Sequence, residues 1–244
     1  EDKIITWESN QILLKSYVID AGKTLIIKPG VVVKMGAGTK LVIKGTLQVL
    51  GTEEENIVFT SLQKNDTHLW GWKGITIEGG SGNVIKNCSI ENAEKAIQTH
   101  HSSILIENST IQNNYIGLES VDSSGIIRNN NISYNFFGIK CKNSSQNIIN
   151  NTICFNHQTI WCIESNLNIS FNRIFDNWGD GLRAYNSTVK IYKNIIEKNG
   201  GYGVTLISSA FTMDENTFGT NKQSKNSGGN MMKGWQLKIK IKDL

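Results

Sequence analysis

The residues best suited to chemistry crowd into one stretch, RIFDNWGDGLRAY, which carries Arg173, Asp176, Asp180 and Arg183. His157 and Glu164 lie shortly upstream. Two carboxylates at a suitable separation serve as acid and base in glycoside hydrolysis. A lyase would instead pair a basic proton acceptor with acids that hold calcium. The candidate catalytic set is therefore Asp176, Asp180, Arg183 and His157. Against it, Asp176 and Asp180 flank Asn177, and aspartate is ordinary turn chemistry.

A second pattern suits binding. Tyr115, Phe136, His157 and Trp178 follow one another at intervals of 21 residues. Aromatic faces stack on sugar C–H surfaces while nearby Asn and Asp supply hydrogen bonds. These four, with Trp70 in the segment SLQKNDTHLWGW, are the candidate glycan-binding residues; the alternative is that the rings shelter a corner of the core. Cys141 and Cys162 are also 21 residues apart. Adjacent parallel strands hold Cα atoms about 4.8 Å apart, within disulfide reach, so the pair is either a disulfide or two stacked buried thiols. Cys88 and Cys154 occupy other columns and are expected to be unpaired. None has metal-ligand spacing, and neither metal nor cofactor is expected. Asn-x-Ser/Thr sequons at Asn65, Asn87, Asn108, Asn131, Asn143, Asn150, Asn168 and Asn186 are candidate glycosylation sites, although an Asn-rich repeat generates such sequons by composition.

The interval that sets these spacings also sets the core. Ile90, Ile111, Ile132, Ile153, Ile174 and Ile195 recur every 21 residues, with Phe218 in the same slot after an insertion. Ile85, Ile106, Ile127, Ile148 and Ile169 form a second column that reaches Met213. Ile97, Leu118, Ile139 and Ile160 form a third, slipping to Leu182 and Val204. Three apolar columns per period mean three short inward-facing strands per repeat, the pattern of a solenoid. Asn114, Asn135, Asn156, Asn177 and Asn221 mark a corner where Asn is expected to adopt the left-handed conformation and stack as an amide ladder.

The segments IENSTIQNNYIGLES and IRNNNISYNFFGIK resemble the right-handed parallel β-helix repeat of the pectin-lyase-like superfamily. The resemblance implies an all-β fold, a right-handed parallel β-helix solenoid with three short strands per 21-residue coil. It implies no single activity, because that superfamily includes lyases, hydrolases, phage tailspikes and non-catalytic surface proteins. Its pectate-lyase and polygalacturonase members carry clustered acids on one strand face. The matching face here reads Gln98, Glu119, Lys140, Trp161, Arg183 and Thr205, without repeated acids. Upstream, TLIIKPGVVVKM and KLVIKGTLQVLG align at an offset of 16, Leu25 with Leu41 and Val31 with Leu47, and predict tighter coils.

The expected organisation is an N-terminal cap over 1–23, the β-helix over 24–221, and a basic tail over 222–244 that is a cap strand or the start of a truncated following module. From Lys222 onward the tail holds six lysines and one acid, which leaves the solenoid near neutrality. That argues against a nucleic-acid partner, which needs a basic stripe on the folded body. No run approaches the roughly 20 apolar residues of a membrane span. These features predict an extracellular or cell-surface module, mainly structural and glycan-binding, with polysaccharide or cell-envelope components as partners. The alternatives are a polysaccharide lyase or glycoside hydrolase, and a subunit that self-associates end to end.

Overall fold

The computed structural model describes residues 3–63 and 71–221, and the backbone of a strand over 237–240. Its strands run parallel in three ten-stranded sheets, with successive strands passing from the first sheet to the second, the third and back to the first. Among the described residues there is no helix. A typical coil places Ser103–Glu107 in the first sheet, Thr110–Gln112 in the second and Ile116–Val121 in the third. Side chains alternate across each strand. Ile106, Ile111 and Leu118 therefore meet in the core, each wholly buried, and the columns read from the sequence line the axis.

From Asn108 onward the corners are built alike. One residue turns into the left-handed region, with φ between +45° and +60° in the non-glycine cases, and the next sends its side chain inward to bond the coil beside it. At the corner between the second and third sheets the inward residues are Asn114, Asn135, Asn156, Asn177, Asn199 and Asn221, each Nδ2 donating to the Oδ1 of the next. The left-handed residue is thus not the ladder Asn, as its type suggested, but the one before it: Asn113, Tyr134, Phe155 and Asp176. Tyr and Phe are poor in that conformation. They are held there because the ladder amide can reach its partners only if the chain reverses one residue earlier.

Two further ladders complete the triangle. Asn130, Asn151, Asn172, Asn194 and Asn216 stack between the first and second sheets. Between the third and first, Ser123, Ser144, Ser165, Ser187 and Ser209 each accept the backbone N–H of the preceding coil's ladder serine. Buried backbone at all three corners is thereby satisfied.

The register corrects the sequence reading in two places. A coil gains one residue near Gly179, so Ile174 pairs with Ile196, and Ile195 faces solvent. A one-residue shift flips a strand residue to the other face. At the other end, Leu25 pairs with Leu47 in the first sheet, whereas Leu41 lies in the third. The offset of 16 matched strands of different sheets that share an alternating pattern, so these coils are not tighter. Residues 4–19 supply one strand to each sheet and form the first coil. In the tail, Leu237–Lys240 extends the third sheet beside Val204–Ile207.

Candidate functional site

Within the expected catalytic cluster, Asp180 and Arg183 pair with each other. Asp180 is buried, and its Oδ2 accepts from both Nε and Nη2 of Arg183 at 2.9 Å. Its Oδ1 accepts the Tyr202 N–H at 2.8 Å, which pins the next coil where the extra residue enters. Burial works to lower the pKa of Arg183, but the Asp180 carboxylate and Tyr185 raise it overall. Asp176 is the left-handed residue of its corner. His157 lies in a ring stack.

That stack is the aromatic column. Tyr115 and Phe136 have ring centroids 5.1 Å apart, Phe136 and His157 4.4 Å, and His157 and Trp178 6.0 Å, all stacked. Exposure reaches 75% at Trp178, whereas Tyr115 is half-buried and, with Phe136, packs edge-on against the buried Phe137. Yet each inner ring spends its faces on its neighbours, so the column offers solvent mainly ring edges. Trp178 ends the column on one side, where the following coil has Gly200, and Tyr115 on the other, where the preceding coil has Glu94. Trp70 lies outside the described residues, as does Asn65.

Cys141 and Cys162 are Cα partners on adjacent strands, as the spacing predicted, and stand as buried free thiols. Parallel strands in register aim both Cβ atoms the same way, which suits side-by-side packing better than a bridge. Cys88 and Cys154 are also free and buried. Burial pushes all four thiols up, Cys162 to about 12. Of the sequons, Asn108, Asn131, Asn143, Asn150, Asn168 and Asn186 are exposed and Asn87 is half-buried.

The concave surface lies elsewhere, on the outer face of the first sheet, where a groove of about 870 Å³ crosses six strands. The pairing register makes Val84, Leu105, Ile126, Asn147, Asn168 and Lys190 one outward column along its floor. At the strand spacing, six strands span about 24 Å. A second outward column, Ser103, Ser124, Ser145, Asn166 and Thr188, runs parallel to it. Among the described residues of the lining, Lys190 is the only ionisable one.

The groove's flanks carry charge. On one side Lys86 and Arg128 clamp Glu107, at 2.8 and 2.6 Å, and hold its carboxyl below its ordinary range. On the other, a hollow of about 530 Å³ beyond the serine column includes His101 and Asp122. The sequence held the signal for this groove: its floor residues recur at the repeat interval. The column changes from aliphatic to amide halfway and so shows no single residue type by which to read it.

Fold and surface together define a parallel β-solenoid with a ligand-sized trough along one outer sheet. The right handed beta helix region family matches residues 48–163 and 95–236, and the chain belongs to it. Among curated proteins no relative matches. The enzymatically active domain of tailspike protein 2 from bacteriophage CBA120 is similar in structure, with TM-score 0.61, 13% identity, and coverage of 96% of this chain and 42% of that one. A mutant of the periplasmic alginate epimerase AlgG is similar at TM-score 0.50 and 12% identity, over 99% of this chain and 72% of that one. The A-module of the Azotobacter vinelandii mannuronan C-5 epimerase AlgE4 aligns over 98% of this chain and 88% of that one, with 11% identity and TM-score 0.47.

Proposed function

We propose that this chain is an extracellular or cell-surface β-helix module that binds an extended polysaccharide without cleaving it, in the groove of the first sheet. The observation that carries this reading is a trough six strands long, lined by hydroxyls, amides and aliphatic side chains, with Lys190 its only titratable group among the described residues. Hydroxyl and amide columns that recur with each coil suit a ligand that itself repeats. General acid–base catalysis needs titratable groups within reach of the bond being broken, and the lining supplies no such pair. The alginate epimerase that is similar in structure also takes an extended polysaccharide, which supports the polymer reading but not the identity of the sugar. Partners in the cell envelope and the exposed sequons outside the groove, Asn108, Asn131, Asn143, Asn150 and Asn186, fit the same placement, while Asn168 on the groove floor serves as a binding amide and not as a glycosylation site.

The runner-up is a polysaccharide lyase or hydrolase, and it would have to recruit His101 and Asp122 from the lip. Affinity electrophoresis through gels containing a panel of polysaccharides separates the readings. At least one polysaccharide should retard the protein, Asn147→Ala with Asn168→Ala should relieve that retardation, and no new reducing ends or unsaturated products should form. Trp178→Ala should leave retardation unchanged. Turnover that His101→Ala or Asp122→Ala abolishes would establish the enzyme instead. Retardation lost in Trp178→Ala alone would move the site to the aromatic corner.

A further inference from the structure

The groove's composition also selects among polysaccharides. We infer that its ligand is a neutral glycan bearing N-acetyl groups, an inference that rests on the glycan-binding reading of this groove. A polyanionic chain would need a basic residue on coil after coil, but Lys190 is the one cation in the described lining and the flanking Lys86 and Arg128 are held by Glu107. A polycationic chain would need acids, and the described lining has none. An unsubstituted glucan presents C–H faces that bind best to aromatic rings, and among the described residues the groove lining contains none.

What the groove offers is aliphatic surface and amide in one column. Val84, Leu105 and Ile126 give way to Asn147 and Asn168 at the next coil. Asn168 Nδ2 donates to Asn147 Oδ1 at 3.3 Å. That bond leaves the Asn147 amide hydrogens and the Asn168 carbonyl oxygen open to a ligand, one side donating and the other accepting. An acetamido group is complementary to both halves: its methyl suits the aliphatic stretch, and its N–H and C=O match the open amides. The serine column supplies hydroxyl partners for ring oxygens and hydroxyls alongside. A ligand that carries an amide pairs with both open groups at once, whereas an isostere lacking it leaves them to water and gains neither bond.

Calorimetric titration with three hexamers tests this: β-1,4-linked N-acetylglucosamine, β-1,4-linked glucose, and a uronate. The N-acetylated hexamer should bind about tenfold more tightly than the glucose hexamer, a difference of about 1.4 kcal/mol, and the uronate most weakly. Ile126→Ser should narrow that preference, and the exposed Asn168→Ala should weaken binding of the N-acetylated hexamer, with melts run on both variants to confirm folding. If glucose or uronate hexamers bind as tightly as the N-acetylated one, yet Asn168→Ala weakens them, the ligand class is wrong and the groove stands. If no hexamer binds, or Asn168→Ala changes nothing, the groove reading falls with it.

Discussion

Removing one rung of the amide ladder should cost the domain more than a single hydrogen bond. Asn135 is buried, and its Nδ2 lies 2.9 Å from Ile111 O, 3.0 Å from Ser133 O and 3.0 Å from Asn156 Oδ1. Two amide hydrogens serve those three acceptors. Its Oδ1 accepts from both the backbone N–H and the Nδ2 of Asn114 at 3.0 Å. In Asn135→Ala the Asn114 N–H, a backbone donor away from water, loses its acceptor outright. About four effective bonds vanish at roughly 0.5–1.5 kcal/mol each, partly offset by relaxation of the neighbouring rungs, so the expected loss is about 3 kcal/mol. For a chain of this size that lowers the melting temperature by roughly 6–12 °C. Thermal and urea melts followed by circular dichroism measure it. Asn131→Ala, on an exposed strand position of the same coil, should stay within about 0.5 kcal/mol of the parent. Ser144→Ala loses two bonds, one from the Ser123 N–H and one to Lys142 O, and should cost about 1–2 kcal/mol. An Asn135→Ala melt within about 2 °C of the parent would refute the ladder as a source of stability.

Glu107 makes stability depend on pH. Hydrogen bonds from Lys86 first, and then Arg128, lower its folded pKa, so its contribution is fully present above the unfolded value of about 4.3 and is lost as pH falls through the lower folded value. Urea midpoints should therefore decline as pH drops below about 4.3, and less steeply in Glu107→Gln; equal slopes would exclude the clamp. The thiols give another check. Native protein should react with a disulfide-exchange reagent far more slowly than unfolded protein at all four cysteines, because every thiol is buried with its pKa raised. Only two titratable thiols after denaturation without reductant would mean that Cys141 and Cys162 are joined.

The sequence alone determined the coil. Three apolar columns at one interval leave a chain no other way to bury Ile106, Ile111 and Leu118 together, and strand periodicity then fixes which residues face outward. The same interval put Cys141 beside Cys162 and Phe136 beside His157, and both pairs stand where it placed them. Tertiary structure decided the rest, for reasons of direction and stacking. Which corner residue turns left-handed depends on where its neighbour's amide must reach, so Tyr134 rather than Asn135 does so. Whether Asp180 is a free acid or a buried strut depends on Arg183 and on the Tyr202 N–H one coil away, contacts that arise only where an extra residue enters. Which outward residues share a trough also depends on how the coils stack. The pairing register gathers Leu105, Asn147 and Asn168 along one groove of the first sheet, while the ring column stands at the corner between the second and third sheets.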